Sequence, residues 1–339
     1  MKRMYREVVS VSCVTVKAYR IFFLFFIASV PIVFLGACSR QPVTRTFVAA
    51  GTYLEVKSPD TRAAGIVYEE FKRLEAIFNF YSPDSELSRL NRTFQEPVKV
   101  SSELLEVLLL AQKATRATEG AFDVSYGALF ARWKECIKSG TGEFPREEEI
   151  TALRESGGMQ NIEINQSAGT ITIKKEGLKI DLGGIAEGYM VDRAARKLRA
   201  AGITSALINA GGDIYCMGMN FSKPWVIGIK DSRGLTHIVQ AEKLVDAAVT
   251  TSGNYEQFFE HRGKKYSHLI DPRTGFPVQS NVVSVSVIAK DCTAADSLAT
   301  AFFVMGLEAT KVYINAYPRG MRAFFLTSEN GIESMETVE

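Results

Sequence analysis

The chain has 339 residues, of which 46% are hydrophobic and 23% are charged. This globular composition argues against disorder, and the length allows one large core or two smaller ones. Residues 1–37 contain five of the 40 basic residues and one of the 38 acidic residues. Without them the net charge of the chain changes from +2 to about −2. This charge gives no indication of a surface that binds nucleic acid.

The N-terminus resembles a bacterial lipoprotein signal. A basic leader precedes an apolar stretch over 21–37, and small residues stand directly before a cysteine in Leu35-Gly36-Ala37-Cys38. We expect cleavage after residue 37, a lipid such as palmitate on Cys38, a linker over 38–46 and one domain over 47–339. The alternative is an uncleaved anchor, because the stretch approaches the ~18 residues that a membrane span needs. Either alternative predicts a domain outside the cytoplasmic membrane, on its periplasmic face.

Hydrophobic periodicity predicts the first elements of the domain. A strand is expected over 47–57, a helix over 61–80, a turn over 81–85 and a helix over 101–118 with Ser101 as its N-cap. The bend at Gly120 is followed by aromatic residues, among them Phe122, Tyr126 and Trp133, which could stack on a flat ring or belong to the core.

A short charged helix is expected over 146–155, and alternating isoleucines predict a hairpin of strands over 161–166 and 170–174. The stretch DLGGIAEGYMVD over 181–192 follows Leu178 and Ile180, which suggest a strand, and continues into a helical pattern. A tight turn at Gly183 and Gly184 before a helix N-terminus is a candidate phosphate-binding site, although glycine pairs also mark ordinary turns.

The second half of the domain predicts further strands and a helix. The expected strands lie over 206–209, 225–229, 282–289 and 322–327 and as a pair near Phe258 and Tyr266, and the helix lies over 296–305. Helices and strands are mixed without strict alternation, which favours an α+β fold over a doubly wound sheet.

Several polar clusters lie between these elements. Asn209-Ala210-Gly211-Gly212-Asp213 reads as a turn, and Thr250-Thr251-Ser252-Gly253 is rich in hydroxyl groups. His268 precedes Asp-Pro-Arg-Thr-Gly over 271–275 and could be a general acid or base, a phosphate contact or a solvated turn residue.

Two interpretations fit the start of the last helix. Thr293 and Asp296 have the spacing of a capping box. Asp296 and Thr300 are one helical turn apart, and a carboxylate and a hydroxyl so placed suit Mg²⁺, which prefers oxygen ligands. The histidines, at positions 237, 261 and 268, are too few for a His-rich metal site, and Cys136, Cys216 and Cys292 form no CxxC pair and allow at most one disulfide.

The chain resembles the ApbE family of FAD:protein FMN transferases. The matching segments, in family order, are the strand at Gly51-Thr52, YSPDSELSRLN from Tyr81, EGAFDVSYG from Glu119, DLGGIAEGYMVD, NAGGDI from Asn209, TTSG from Thr250, HLIDPRTGFP from His268 and ADSLATAFFVMG from Ala295. The resemblance covers essentially everything after about residue 47. It implies an ApbE-like fold of mixed, mainly antiparallel sheets with packed helices and an FAD site in a cleft between two lobes.

The resemblance also implies the activity. An enzyme of this family uses FAD and Mg²⁺, joins FMN through a phosphoester to a Thr or Ser hydroxyl of a target protein, and releases AMP. The targets are subunits of membrane redox complexes that face outward, which suits a protein anchored through lipid on Cys38. Neither nucleic acid binding nor an assembly beyond a monomer or homodimer is expected.

Residue roles follow from the matching motif positions. The residues expected around FAD are Ala50, Tyr81, Ala121, Phe122, Asp123, Asp181, Glu187 and His268. The expected metal ligands are the Gly184 carbonyl, the Asp296 carboxylate and Thr300. His268 is expected to assist proton transfer, and Asp296 is the second expected catalytic residue.

Two positions depart from the family pattern. Ala50 stands where Met is usual, which removes one apolar contact to the flavin. Glu187 stands where Lys is common, and its carboxylate would repel a pyrophosphate unless it turns away or a metal intervenes. Two other functions stay open: hydrolysis of FAD to FMN and AMP, and flavin binding without catalysis.

Overall fold

The computed structural model describes residues 41–139, 144–231, 237–254, 258–261, 264–317, 320–329 and 331–339. The predicted signal over 1–37 and Cys38 lie outside these residues. The described residues belong to a single compact unit. The first strand begins at Val43, four residues before the expected start of the domain.

The structure contains helices and strands in mixed order. The helices are α1 Ala63–Phe78, α2 Glu86–Leu90, α3 Ser102–Ala117, α4 Gly127–Ser139, α5 Glu147–Ser156, α6 Ala186–Ala200 and α7 Cys292–Ala316. The strands are β1 Val43–Ala49, β2 Thr52–Ser58, β3 Val98–Lys99, β4 Ile162–Asn165, β5 Thr170–Ile173, β6 Ala206–Ala210, β7 Asp213–Met217, β8 Trp225–Lys230, β9 Ile238–Leu244, β10 Ala247–Gly253, β11 Phe258–His261, β12 Lys264–Ser267, β13 Ile270–Asp271, β14 Phe276–Pro277, β15 Val282–Ala289, β16 Arg322–Glu329 and β17 Ile332–Val338.

A large antiparallel sheet forms the centre of the domain. Its strand order is β1-β2-β6-β7-β10-β15-β16-β17, and every neighbouring pair is antiparallel. The end of β6, the start of β7 and the end of β10 therefore lie at the same end of the sheet. The turn between β1 and β2 lies at this end too, because Ala49 pairs with Thr52.

The sheet is covered on both faces. Helices α1, α6 and α7 pack against its strands and one another over the main core, which includes Phe71, Tyr189 and Phe302. The β8–β9 hairpin covers the other face, where Trp225 and Ile227 pack with sheet residues. A third cluster, around Trp133 and Ile150, joins α4 and α5 to β13. The observed architecture is the predicted α+β class with mainly antiparallel sheets.

Helix α7 is a core helix. It is long and apolar enough to cross a membrane by length and composition. However, Ala301, Phe302 and Phe303 are buried in the main core, and α7 packs against β10 and β15. Its helical geometry is interrupted at Gly306, where φ is 76°.

Many predicted elements are confirmed. Helices α1, α3 and α5 match their predicted positions within three residues, and α6 follows the Gly183-Gly184 turn as the pattern predicts. Ser101 caps α3, and β4 pairs with β5. Strand β15 has the predicted bounds, and β11 pairs with β12 near Phe258 and Tyr266.

Three local predictions are wrong. The single strand expected over 47–57 is two strands, because the chain reverses at Ala50 (φ 52°) and Gly51 (φ 78°). Leu178 and Ile180 lie outside any strand, and only Lys179 forms an isolated bridge, to Tyr126. Thr293 and Asp296 form no capping box, because α7 begins earlier and the Asp291 side chain caps it by accepting the Ala294 N–H at 2.8 Å.

Other elements were not expected from the pattern. They are α2, α4, β3, β7, β9, β10, β13, β14 and β17. The three cysteines of the domain, at 136, 216 and 292, are buried free thiols, so they form no disulfide.

Candidate functional site

A cleft of about 280 Å³ opens at the end of the central sheet where β6, β7 and β10 meet. The lining residues come from the start of α6 and from α7, from the segment before α4 and α4 itself, and from the loop that precedes β13. The lining residues are Ala121, Phe122, Asp123, Val124, Phe130, Lys134, Asp181, Gly183, Gly184, Glu187, Gly211, Asp213, Thr251, Ser252, Gly253, His268, Leu269, Ile270, Pro272, Asp296 and Thr300.

The structure brings most of the predicted site residues to this cleft. Those that line it are Ala121, Phe122, Asp123, Asp181, Gly184, Glu187, His268, Asp296 and Thr300. They come from segments up to 180 residues apart, because the antiparallel sheet gathers several turns at one end.

Two residues that are predicted to contact the flavin, Ala50 and Tyr81, are not among the residues that line the cleft. Ala50 occupies the β1–β2 turn, where its N–H donates to Glu75 Oε2 at 3.1 Å. The Tyr81 side chain is 64% exposed, and its ring centroid is 5.7 Å from Nζ of Lys134, which lines the cleft. Tyr81 is therefore at the rim of the cleft.

The turn at Gly183 and Gly184 is held by its own sequence. Asp181 Oδ1 accepts the Gly183 N–H at 2.9 Å, so this donor is already used within the protein. Neither glycine has a positive φ. Gly184 is needed because Thr300 and Phe122 approach its backbone closely. A Cβ at this position would lie 3.2 Å from Thr300 Oγ1 and 3.3 Å from the Phe122 ring.

Helices α6 and α7 touch at Gly188. A Cβ at this position would lie 2.4 Å from the Cys292 carbonyl oxygen and 2.9 Å from Asp296 Cβ. The Gly188 N–H donates to Asp296 Oδ2 at 3.2 Å, and Asp192 accepts the N–H groups of Cys292 and Thr293 at 2.9 and 2.8 Å. These contacts fix where Asp296 stands relative to the Gly183-Gly184 turn.

The predicted metal ligands are neighbours. Asp296 and Thr300 are one turn apart on α7, and Thr300 Oγ1 is 3.2 Å from Ser252 Oγ at the end of β10. Gly184 packs directly against Thr300. A carboxylate and a hydroxyl from α7 thus converge with the backbone of a glycine from the turn before α6.

Three carboxyl groups, which we call the acid cluster, lie at this end of the cleft: Glu187, Asp213 and Asp296. Burial raises the pKa of Glu187 to about 7. Burial and the neighbouring Glu187 raise the pKa of Asp296 to about 8. Burial, together with Asp296 and Glu187, raises the pKa of Asp213 well above its usual range. The three carboxyl groups of the acid cluster cannot all be ionised at neutral pH unless a nearby positive charge compensates them.

The acid cluster suits a hard divalent cation. Mg²⁺ binds carboxylate, carbonyl and hydroxyl oxygens and needs only one or two protein carboxylates, since waters and substrate phosphates complete its shell. In the described part of the chain, no group of three or more His, Cys, Asp or Glu side chains has a metal-binding arrangement. The fit therefore depends on the mixed oxygen donors Gly184, Asp296 and Thr300.

Asp123 has a structural task within the site. Its Oδ1 accepts the backbone N–H and the hydroxyl of Ser125 at 2.9 and 2.6 Å, and its Oδ2 accepts the Met159 N–H at 3.2 Å. Burial outweighs these hydrogen bonds and raises its pKa. The carboxylate thus ties the cleft wall to the 3₁₀ turn Met159–Asn161.

His268 lines the cleft from the loop before β13, where it is half-buried. The neighbouring Arg273 turns back to Asp271, with both nitrogen–oxygen distances at 2.9 Å. Of the polar side chains in this motif, only His268 lines the cleft.

Lys134 and Asp213 were not predicted as site residues. Asp213 belongs to the NAGGD motif, which the sequence predicts to be a turn, and its place beside Asp296 of α7 depends on β7, an element that the pattern does not predict. Lys134 gives no motif signal, because its position at the cleft depends on the unpredicted helix α4. Its Nζ lies 3.2 Å from Asp181 Oδ2.

Comparisons with known proteins identify the family of the chain. Residues 50–325 match the family model described as "ApbE family". An FAD:protein FMN transferase of Vibrio cholerae serotype O1 is 39% identical over 67% of this chain and 69% of its own length. A protein of the same name from Haemophilus influenzae is 30% identical over 80% of this chain and 84% of its own length.

Solved structures show the same fold. The ApbE protein of Thermotoga maritima superposes with a TM-score of 0.79 at 32% identity, covering 88% of this chain and 97% of its own. The flavin transferase ApbE of Vibrio cholerae gives a TM-score of 0.77 at 30% identity, covering 88% and 97%.

Proposed function

The chain belongs to the ApbE family, and from this membership we propose that it transfers the FMN half of FAD to a hydroxyl group of a target protein. Its relatives carry the name FAD:protein FMN transferase, which makes the chain a transferase that uses FAD as substrate. The observation that carries the proposal is the convergence of Gly184, Asp296 and Thr300 with the acid cluster in one cleft.

We propose that Gly184, Asp296 and Thr300 hold Mg²⁺ next to the pyrophosphate of FAD. Bound there, the ion would neutralise charge on the non-bridging phosphate oxygens, which is the main requirement for phosphoryl-type transfer. The cation would also offset the repulsion within the acid cluster. Glu187 would then face the metal side of the pyrophosphate, which accounts for a carboxylate in place of the usual lysine.

The transfer step needs an acceptor hydroxyl in line with the P–O bond that breaks. The hydroxyl oxygen of a Thr or Ser in the target bonds to the phosphorus of the FMN half, the bond to the AMP phosphate breaks, and the hydroxyl proton is lost. We propose that His268 takes part in this proton transfer, because its imidazole lines the same cleft as the proposed metal ligands and an imidazole can accept a proton near neutral pH. The role that we propose for Asp296 is to hold the metal ion with its carboxylate.

We propose that the enzyme works at the periplasmic face of the cytoplasmic membrane, anchored through lipid on Cys38. Its targets would be outward-facing subunits of membrane redox complexes that carry the acceptor motif, roughly Asp-x-x-Thr-Gly-Ala-Thr. The lipoprotein-like signal over 1–37 supports this location.

A direct assay tests the proposed function. The purified chain is incubated with FAD, Mg²⁺ and a peptide carrying the acceptor motif, and a fluorescent flavin–peptide adduct and an equal amount of AMP are expected. A peptide with Val in place of the acceptor Thr is the matched control. The absence of an adduct with Mg²⁺ and with Mn²⁺ would contradict the proposal. AMP release without peptide would favour the hydrolase, and FAD retention without AMP would favour a flavin-binding protein.

A further inference from the structure

Lys134 is the sole lysine or arginine among the described residues that line the cleft. The same lining contains Asp123, Asp181, Glu187, Asp213 and Asp296. A strongly acidic cleft opposes the binding of an anionic dinucleotide, so the single cationic side chain and its partners matter for affinity.

The Lys134 ammonium group connects two residues from separate parts of the chain. Its Nζ donates to Asp181 Oδ2 at 3.2 Å and lies 5.7 Å from the centroid of the Tyr81 ring, close enough for a cation–π contact. The Lys134 side chain is about one-third exposed, whereas that of Asp181 is 7% exposed. Burial disfavours the charge on Lys134, but Asp181 and Tyr81 outweigh it and raise the pKa of this amine, so it stays protonated at neutral pH.

Asp181 carries this connection into the active site. Its Oδ2 pairs with Lys134, while its Oδ1 accepts the N–H of Gly183, the residue before the proposed metal ligand Gly184. Removing the ammonium would leave the Asp181 carboxylate nearly buried with its charge unpaired, which is costly and would loosen the turn that it holds.

We propose that Lys134 is a positioning residue for FAD, which acts by holding Asp181 and Tyr81 against the cleft wall. This inference rests on the proposed function, because it takes FAD as the ligand of the cleft. Helix α4 would then contribute to FAD affinity through Lys134, independently of the proposed metal ligands Asp296 and Thr300 on α7.

Affinity measurements without turnover test the inference. FAD binding is followed by flavin fluorescence in a chelating buffer for the wild-type chain, Lys134→Met and Lys134→Arg. The methionine variant should bind FAD at least about tenfold more weakly, the effect expected for one lost charge-assisted hydrogen bond, and arginine should restore most of the affinity. Lys113→Met is the matched control, because Lys113 is exposed on α3 and does not line the cleft. In turnover assays, the increase in KM for FAD should exceed the loss in kcat.

A double-mutant cycle separates positioning from direct contact. In the Asp181→Asn background, Lys134→Met should weaken FAD binding by less than about twofold, because its partner is already neutral. Equal losses in both backgrounds would overturn the inference, as would unchanged affinity of Lys134→Met or absence of FAD binding by the wild-type chain. If the wild-type chain shows the expected binding pattern but forms no flavin–peptide, the transferase proposal fails and the role of Lys134 stands.

Discussion

At the scale of single residues, the cleft brings several carboxyl groups together, and Lys134 is the one lysine or arginine among the described residues that line it. Burial raises the pKa of Glu187, Asp213 and Asp296, and repulsion from neighbouring carboxylates adds to the rise for Asp213 and Asp296. Natural proteins keep such groups where a ligand supplies the missing charge. The acid cluster is therefore the part of the site that the proposed cation would affect most.

Asp296→Asn tests the metal-binding role that we propose for this residue. We expect the rate of flavin–peptide formation to fall by a factor on the order of 10² or more, because the amide cannot supply the charge that neutralises the metal. The asparagine still offers an acceptor for the Gly188 N–H, so folding should be retained. Asp291→Asn is the control, since Asp291 caps the same helix but does not line the cleft. A rate close to wild type for Asp296→Asn would contradict the assignment.

The raised pKa of Asp296 also predicts how stability depends on pH when metal is removed. Its pKa rises from 3.8 to about 8 on folding, so between these values the folded chain holds a proton that the unfolded chain releases. The contribution of Asp296 to stability should therefore fall as pH rises from about 4 to about 8. Urea unfolding in EDTA measures this contribution as the difference in the free energy of unfolding between the wild-type chain and Asp296→Asn, because most other titrating groups act alike in both, and excess Mg²⁺ should reduce its pH dependence. A difference that rises in favour of the wild-type chain over this range would contradict the pKa assignment.

At the scale of elements, the site depends on the close contact between α6 and α7. Gly188 lets the two helices approach until the Gly188 N–H reaches the Asp296 carboxylate. Asp192 on α6 reinforces the contact by accepting two N–H groups at the start of α7. Because Asp296 and Thr300 both lie on α7, the geometry of the whole donor set depends on this helix pair.

Gly188→Ala should separate these helices. The added Cβ would lie 2.4 Å from the Cys292 carbonyl oxygen, which is backbone and cannot rotate away. We expect a loss of about 1–3 kcal/mol in the free energy of unfolding, together with lower activity. Gly65→Ala is the matched control in α1, because its Cβ would meet nothing within 4 Å, and it should stabilise the chain by about 0.5–1 kcal/mol. Urea unfolding of both variants measures the difference, and equal stabilities would contradict the packing argument.

At the scale of the whole molecule, one sheet end assembles the site. The antiparallel order places the β6–β7 turn and the end of β10 together, and α4, α7 and the loop before β13 complete the walls. A ligand in this cleft contacts elements from most of the domain. Its binding energy should therefore stabilise the fold as a unit.

FAD and Mg²⁺ together should raise the thermal midpoint of the chain. At a free FAD concentration about 100 times its Kd, the expected gain is about 2.7 kcal/mol. The gain should depend on Mg²⁺, and Asp296→Asn should lose the metal-dependent part. Differential scanning calorimetry with and without EDTA measures both contributions. A midpoint unaffected by either ligand would mean that the cleft does not bind them.

The sequence alone determined the α+β class, most helices and the candidates for the site, because these depend on local periodicity and short motifs. Helix α6 and strand β15 illustrate this, since each repeats apolar residues at the spacing of its own geometry. The motif resemblance then identified nine residues that the structure brings to the cleft.

Only the tertiary structure decided how those candidates meet. The β1–β2 turn at Ala50 was hidden because both strands share the same alternation, and α7 begins four residues before the expected start because Asp291 caps it. The roles of Asp213 and Lys134 could not be seen, since each acquires its partners through contacts with residues distant in sequence. Local pattern encodes which elements form, whereas charge pairing and close helix packing arise only when remote segments share the same space.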